Sequence, residues 1–293
     1  MKAVTHDGTF HADDIFSAAV LRRIFPDIKF TRTRDPKIIA KADITFDVGG
    51  IYDAKTRRFD HHQNSVSARR NGIMYSSFGL VWRNYGKQYC GSQKIANQVD
   101  EQLVQPVDAD DNGQAISTPN NYNLQPFTIC QAIADFNPKI FVNDKKGQDY
   151  KLFLRAIDFA EIVLDNLVLR LKNQAEVIAY LKRQIASTPD KRYVVLDRTL
   201  PLHGLKIPSK DLLYIVYPQT NDDNWAIRAV TKDDDEFMSR QPFPASWSGL
   251  VGEKLAQVSG APNAVFCHKA RFLVVAKTKN SAIELIHRSL NNT

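Results

Sequence analysis

Short apolar segments and helical segments alternate over the first 50 residues of the chain. Residues 2–4, 28–32 and 43–48 have the pattern of strands, while 13–25 and 36–40 have the spacing of helices. This succession of strand, helix, strand, helix and strand predicts a parallel sheet covered by helices. The feature confines this half of the chain to α/β folds, in which ligands bind at the carboxyl ends of the strands.

Potential metal ligands follow three of the predicted strands. His6 comes after the first, Asp47 ends the buried strand before Gly49-Gly50, and Asp60-His61-His62 follows a short extended segment. Because the carboxyl ends of parallel strands lie at one edge of a sheet, we expect these side chains to converge on one cleft. A polar surface turn is the alternative for the triplet taken alone.

Two further pairs of aspartates are candidates. Asp13 or Asp14 is placed to cap the first helix, and either residue could also bind a metal ion. Asp108 and Asp111 are three residues apart near the end of a helix predicted over 93–107, so they face one way. Carboxylates there oppose the helix dipole, so we expect a positive partner; a solvated acidic loop is the alternative.

The candidate ligands are all imidazoles and carboxylates, which suits Mn²⁺, Mg²⁺, Fe²⁺ or Zn²⁺. The chain has three cysteines without metal-binding spacing, which argues against a thiolate site or a disulfide framework. The candidates outnumber the ligands of one tetrahedral ion, so two ions sharing a carboxylate are expected, as in sites for displacement at phosphorus. The pooled candidates are His6, His11, Asp13, Asp14, Asp47, Asp60, His61, His62, Asp108 and Asp111.

Composition changes at residues 187–190, where a long helical pattern gives way to strand-like runs. We therefore predict a metal-binding catalytic domain over 1–148, a connecting helical segment over 149–188, and a smaller α+β domain that binds substrate over 189–293. The helical pattern over 149–186 is read as two helices with a break. The predicted fold class is α/β with a second, smaller domain.

Motifs and charge narrow the function. No P-loop, G-x-G-x-x-G or G-x-S-x-G sequence is present, which disfavours nucleotide kinases, Rossmann dehydrogenases and serine hydrolases. A formal net charge of +7 suits an anionic partner. The sequence has no secretory signal and no apolar run of bilayer length, so we expect a cytoplasmic protein without membrane contact. A homo-oligomer remains open.

Five segments of the sequence resemble the melanocyte-proliferating-gene (Myg) family of the DHH phosphoesterase superfamily. They are THDGTFHADD at 5–14, DVGG at 47–50, FDHHQ at 59–63, ASWSGL at 245–250 and QVSG at 257–260. The resemblance covers nearly the whole chain. It implies a two-domain enzyme with two divalent ions between the domains, usually Mn²⁺ with Mg²⁺ as the alternative. It also implies 3′–5′ exonuclease activity on RNA or short oligonucleotides through a hydroxide activated by the two metals.

The resemblance also assigns roles to residues. Asp47 would bridge the ions, Asp60 would orient the site, and His62 would reach the scissile phosphate. The segment Asp111-Asn112-Gly113 is similar to the superfamily's Asp-Thr-Gly element, but Asp108 lies one turn earlier, and both stay candidates. The residues implied to bind the ions directly are His6, His11, Asp13, Asp47, His61 and either Asp108 or Asp111.

Substrate recognition leaves alternatives open. Lys277 and Lys279 could bind substrate, although 272–278 has bulky residues where many superfamily members have a Gly-Gly loop. Arg69 and Trp82, with Arg70, Arg83 and Tyr85, form either a platform for RNA bases or an ordinary helix face. The competing functions are a phosphoesterase acting on a small phosphorylated metabolite or dinucleotide, and a sensor without turnover.

Overall fold

A computed structural model describes most of the chain. The chain divides into two compact units, Met1–Lys172 and Asn173–Thr293, and the division falls within one long helix. The residues that the structure describes are 1–63, 68–118, 121–138, 148–202, 205–233, 235 and 237–291. No helix in these ranges is both long and apolar enough to cross a bilayer.

The first unit contains the predicted parallel sheet. Its strands are β1 (Lys2–Thr5), β2 (Lys29–Arg32), β3 (Ile44–Phe46), β4 (Tyr52–Asp53) and β5 (Arg58–Phe59), in the spatial order β2-β1-β3-β5-β4. Neighbouring strands from β2 to β5 are parallel, and the edge strand β4 is antiparallel. The α/β fold is therefore confirmed, and β1, β3 and β5 bring three carboxyl ends side by side.

Helices pack around this sheet. Helix α1 lies against α3, where the Phe16 and Phe78 rings stack with centroids 5.1 Å apart, and both side chains are fully buried. A π-helical segment, Asp100–Val104, joins α4 to α5. The helices are α1 (Ala12–Ile24), α2 (Pro36–Ile39), α3 (Ser77–Cys90), α4 (Gln93–Val99), α5 (Gln105–Asp111), α6 (Ile129–Ala134) and α7 (Gln148–Ser187).

Two helix predictions need correction. Helix α3 begins at Ser77 instead of residue 72, because Gly72 has a φ of 85° and lies in a turn closed by its N–H on the Arg69 carbonyl. Helix α7 is one continuous helix of 40 residues without the predicted break. Its sequence contains neither proline nor glycine, so nothing in the backbone chemistry interrupts it.

The second unit has a mixed sheet. The strands are β6 (Tyr193–Val195), β7 (Tyr214–Pro218), β8 (Trp225–Ala229), β9 (Ala264–Cys267) and β10 (Leu273–Ala276), in the order β6-β7-β8-β10-β9. Only the β6–β7 pair of this described sheet is parallel, as expected for a partly antiparallel α+β domain.

Helices α8 (Gly252–Ser259) and α9 (Lys279–Asn291) complete the second unit, and a short 3-10 helix spans Ala245–Trp247. Trp247 stacks on Phe243 in the core. Residues 148–172 of α7 belong to the first unit and 173–187 to the second. The predicted boundaries at 148 and 188, and the role of each domain, stay predictions.

Candidate metal centre

Three neighbouring parallel strands deliver the first candidate ligands to one edge of the sheet. His6 follows β1, Asp47 follows β3, and the Asp60-His61-His62 triplet follows β5. The last residue of each of these strands is buried, and the polar residue that follows lies at the sheet edge. The sequence-based expectation that these positions converge agrees with the distances between their side chains.

Asp47 lies at the middle of the cluster. Its Oδ2 is 3.1 Å from His6 Nε2, and its Oδ1 is 3.3 Å from His61 Nε2. The two oxygens of one carboxylate therefore face two different histidines. Asp47 is buried and has a left-handed backbone, with φ at 52°. Asp is one of the few residues other than glycine that enters this region readily.

The Asp60 carboxylate fixes the turn that follows β5. Its Oδ2 accepts a hydrogen bond from the backbone N–H of Gly50 at 2.5 Å. Its Oδ1 accepts from the His62 backbone N–H at 3.1 Å and lies 2.7 Å from His62 Nδ1. Asp60 is buried, whereas 63% of the His62 side chain is exposed. Asp60 thus holds His62 at the turn while its ring faces solvent.

Helix α1 presents two buried aspartates in its first turn. Asp14 Oδ1 accepts a hydrogen bond from the backbone N–H of His11, the residue before the helix, at 2.9 Å. Asp14 Oδ2 lies 3.4 Å from His6 Nε2. Asp13 is fully buried, and neither of its oxygens has a hydrogen-bond partner among the described residues. Asp14 therefore caps the helix, and Asp13 does not.

Asp108 and Asp111 lie in different surroundings although both belong to α5. Asp111 Oδ2 is 3.3 Å from His61 Nε2, which places this carboxylate in the cluster. Asp108 Oδ2 instead forms an ion pair with Arg69 Nη1 at 2.5 Å. Asp108 Oδ1 accepts hydrogen bonds from Ser76 Oγ at 2.5 Å and the Gly79 N–H at 2.9 Å. The structure brings Asp111, and not Asp108, to the other candidates.

Possible ligand atoms fall into three overlapping groups, in each of which they lie within 4.8 Å of one another. The second group shares Asp47 with the first and His11 with the third, so the groups form a chain. More than one ion therefore fits this donor set better than a single ion does. The groups are Asp47, Asp60, His61 and His62; His6, His11 and Asp47; and His11, Asp13 and Asp111.

Burial and mutual repulsion shape the charges of the cluster. Burial, with the nearby charge of Asp47, raises the pKa of Asp14 to about 7 and the pKa of Asp13 well above its usual value. Burial also acts to raise the pKa of Asp47, but hydrogen bonds from His6 and His61 outweigh it and lower that pKa to about 2. Divalent cations would relieve the repulsion between these carboxylates.

The residues present fit divalent metal ions on chemical grounds. Asp13 is a buried carboxylate whose two oxygens have no hydrogen-bond partner in the described part of the chain, which is costly without a cation. The ion pairs recorded there for Asp13, Asp14, Asp47 and Asp111 are all with histidines. Oxygen and imidazole donors without thiolate suit Mn²⁺ or Mg²⁺.

Two residues of the possible RNA platform, Arg69 and Trp82, have buried side chains, which rules them out as a surface for bases. Arg69 is 7% exposed and forms ion pairs with Asp100 and Asp108, while its guanidinium lies over the Tyr75 ring at 4.0 Å. Trp82 is 3% exposed and donates from Nε1 to the Ala96 carbonyl. These side chains stabilise the interior of the first unit and offer no surface for bases.

The remaining candidates lie in the second unit. Lys277 follows β10 and Lys279 begins α9, and both are exposed. The Lys279 ammonium lies 6.0 Å from the centroid of the Trp225 ring. The bulky residues noted in the sequence, Val274 and Val275, are buried in β10, so they belong to the core. A role of the two lysines in binding substrate stays a prediction.

Sequence reasoning missed how Asp108 is held. Arg69, Ser76 and Gly79 surround it, and a Cβ on Gly79 would lie 2.0 Å from Asp108 Oδ2. The acidic end of α5 was expected to need a positive partner, and Arg69 is that partner for Asp108. Only the glycine carried a further signal, since glycine inside a helix often marks a close approach.

Comparisons with known proteins agree with the motifs. The family model MYG1_exonuc, described as an uncharacterised protein family (UPF0160), matches residues 2–290. A MYG1 protein of Chlamydia pneumoniae is 31% identical, over 98% of this chain and 96% of the relative. A human protein named MYG1 exonuclease is 29% identical, over 98% of this chain and 85% of the human protein. A MYG1 protein of Schizosaccharomyces pombe is 26% identical, over 99% of this chain and 98% of the relative.

Proposed function

This chain belongs to the MYG1_exonuc family, and we propose that it is a metal-dependent phosphodiesterase that removes nucleotides from an end of RNA or of short oligonucleotides. The names of the mammalian relatives support exonuclease activity. The motifs at 47–50 and 59–63 support placement in the DHH phosphoesterase superfamily. We infer Mn²⁺ as the metal, with Mg²⁺ as the alternative.

The position of Asp47 is the observation that carries this proposal. A buried carboxylate with one oxygen 3.1 Å from His6 and the other 3.3 Å from His61 has the arrangement of a group shared between two cations. Asp13 and Asp111 add carboxylates in a further group that includes His11. Divalent ions held by these residues would supply Lewis acidity at the site of phosphodiester hydrolysis.

The protein's own residues supply the remaining functions. His6, His11, Asp13, Asp47, His61 and Asp111 would hold the ions. Asp60 would keep the Nδ1 proton of His62 in place, since its Oδ1 lies 2.7 Å from that nitrogen. His62 is the exposed member of the triplet, so it can reach a phosphate oxygen or a leaving group and donate a proton.

Metal-reconstituted protein would be incubated with 3′- and 5′-labelled RNA, DNA, dinucleotides and nucleoside phosphates. We expect stepwise shortening of RNA or oligonucleotides that needs Mn²⁺ and stops with EDTA. Full turnover by metal-free protein would contradict the proposal. The Asp47→Asn variant should lose metal and activity, whereas His62→Ala should keep its metal and lose about 10²–10⁴-fold in kcat. Equal metal loss in the two variants would contradict this division of roles.

Hydrolysis of a small phosphorylated metabolite or dinucleotide is the second candidate. It is favoured by Val274 and Val275, which fill the sheet where a glycine loop would let a nucleic-acid backbone approach. Replacing Lys277 and Lys279 together by Ala separates the two candidates. For an RNA substrate that binds there, KM should rise and its salt dependence should flatten. An unchanged KM and salt slope would favour the small substrate.

A further inference from the structure

A cavity of about 320 Å³ lies beside the candidate metal centre in the first unit. His11, Asp13 and Asp111 line it, and these three residues also form one of the candidate metal groups. Because both oxygens of the fully buried Asp13 lack hydrogen-bond partners in the described part of the chain, the cavity has polar atoms still free for a ligand. The metal centre is thus one wall of this cavity.

The remaining walls differ in chemistry from the metal wall. Ala12, Val107 and Ala134 supply apolar surface, and Asp110 and Gln131 supply polar groups. Gln131 Oε1 already accepts from the Thr128 N–H at 2.7 Å, so its amide can act as a donor. No lysine or arginine is among the described residues that line the cavity. The cavity therefore suits a neutral group, because no side-chain cation is present there to bind a phosphate.

Size sets a second limit on the ligand. The volume is at the low end of the range of about 300–1,000 Å³ found for pockets that bind small molecules. It suits a single nucleoside group and is too small for a run of stacked nucleotides. The Asp110 carboxylate can accept from a sugar hydroxyl or a base amino group, while the apolar walls cover a ring.

We propose that this cavity holds the one nucleoside group attached to the scissile phosphate. This inference rests on the proposed function above. The phosphate lies at the metal wall, and the nucleoside is bound by Asp110, Gln131 and the apolar residues. Only one such group fits, so cleavage releases one nucleotide at a time from a free end. The substrate class is thereby narrowed to chain ends and dinucleotides whose terminal nucleoside is unpaired.

Cys130 provides a test that needs no turnover. It lines the cavity and is partly exposed, whereas Cys90 and Cys267 are buried, so a small thiol reagent should modify Cys130 selectively. Burial and the charge of Asp110 raise the pKa of the Cys130 thiol, so the labelling is measured at alkaline pH. The wild-type protein with Mn²⁺ would be labelled alone, with AMP, and with inorganic phosphate.

AMP should slow labelling about tenfold at about ten times its Kd, because only the free protein reacts. Inorganic phosphate occupies the metal wall without filling the cavity, so it should leave the rate nearly unchanged. Labelling that AMP does not slow would overturn the inference. Equal protection by AMP and by phosphate would also overturn it, because the cavity would then have no part in binding the nucleoside.

A pair of tryptophan substitutions gives an independent test. Ala134 is exposed on α6 and lines this cavity, whereas Ala115 lines an adjacent cavity of about 370 Å³. The adjacent cavity shares Asp110, Cys130 and Gln131 with the first, but none of the candidate metal ligands lines it. In titration calorimetry with Mn²⁺ present, Ala134→Trp should weaken AMP binding by more than about tenfold. Ala115→Trp should not, and neither variant should change the Mn²⁺ stoichiometry. Equal AMP affinity in both variants would refute the assignment.

The outcomes separate this inference from the proposed function. Absence of hydrolysis for every substrate in the panel, by protein that binds Mn²⁺, would end the proposed phosphodiesterase. Protection of Cys130 by AMP in such a protein would still support a nucleoside cavity. Hydrolysis of oligonucleotides without AMP protection would keep the phosphodiesterase and remove the cavity from its mechanism.

Discussion

Asp108 and Asp111 lie one turn apart on α5, and their surroundings differ in kind. Asp108 is fully buried, but it has an ion pair with Arg69 and two hydrogen bonds at its other oxygen. Asp111 Oδ2 lies 3.3 Å from His61 Nε2, and among the described residues this carboxylate is paired with no arginine or lysine. One carboxylate is already neutralised within the protein, and the other is not.

The difference distinguishes a structural carboxylate from a candidate ligand. Burial raises the pKa of Asp108 to about 6 although Arg69 opposes it, and burial with the charge of Asp47 also raises the pKa of Asp111. The pKa shifts therefore run in the same direction and do not separate the two residues. The partners of the oxygens do, because a carboxylate paired with arginine has less to gain from a metal ion.

The largest expected effect is on metal binding and activity. Asp111→Asn should lower metal affinity and kcat/KM by more than about 100-fold, since loss of a direct ligand exceeds the effect of losing an outer partner. Asp108→Asn is the matched control, with the same change of atoms one turn away, and it should keep the metal. Elemental analysis and kinetics would be measured on both, and equal metal loss would break the distinction.

Stability should change in the opposite order. Asp108→Asn leaves the Arg69 guanidinium, 7% exposed, with Asp100 as its remaining carboxylate partner, and should lower the free energy of unfolding by about 1–3 kcal/mol. Asp111→Asn removes a charge that repels Asp13 and Asp47, so metal-free protein should be unchanged or more stable. Urea unfolding in EDTA tests this, and a larger loss for Asp111→Asn would contradict it.

Metal should stabilise only proteins with an intact cluster. At a free Mn²⁺ concentration 100 times its Kd, the wild-type protein should gain about 2.7 kcal/mol per ion that binds only the folded state. The Asp108→Asn variant should show the same increment from its lower baseline, and Asp111→Asn should show little of it. Melting curves with and without Mn²⁺ would reveal the opposite pattern if Asp108 were the ligand.

The smallest expected effect is on the free energy of unfolding when the hydroxyl of Ser76 or of Ser77 is removed. Ser76 Oγ donates to the charged Asp108 at 2.5 Å, whereas Ser77 Oγ donates to the neutral Phe59 carbonyl at 3.0 Å. Ser76→Ala should lower the free energy of unfolding by about 2 kcal/mol and Ser77→Ala by about 1 kcal/mol, because bonds to charged groups are stronger. Both serines are buried, and Ser77 Oγ also lies 3.3 Å from Ser17 Oγ. A reversed order in urea unfolding would weaken the assigned role of Asp108.

The sequence predicts the cluster because the positions of its residues depend mainly on where the strands end. His6, Asp47 and the triplet each follow a short strand, and parallel strands end at one edge. The sequence alone could not show whether Asp108 or Asp111 joins the cluster. Both lie on one face of α5, and Arg69, which separates them, is almost 40 residues earlier in the chain. Such a pairing is set by tertiary packing and leaves no local pattern.

Periodicity likewise says little about which helix face is buried. Trp82 and Arg69 have the composition of a nucleic-acid platform, yet both side chains lie in the interior of the first unit. The same limit applies to helix ends: α3 begins five residues later than predicted because the chain first turns at Gly72. Motifs indicate candidate ligands, whereas the burial of a side chain depends on contacts between distant segments.

The left-handed backbone of Asp47 makes this position difficult to replace for a reason unrelated to metals. Most residues lose about 1–2 kcal/mol in that conformation, whereas glycine, asparagine and aspartate enter it readily. A saturation library at position 47 should therefore yield folded, inactive protein chiefly with Asn and Gly. Bulky and β-branched replacements should be depleted by proteolysis before any assay of activity. Which substitutions of Asp47 still give folded protein should therefore depend mainly on the left-handed backbone and less on the chemistry of the side chain.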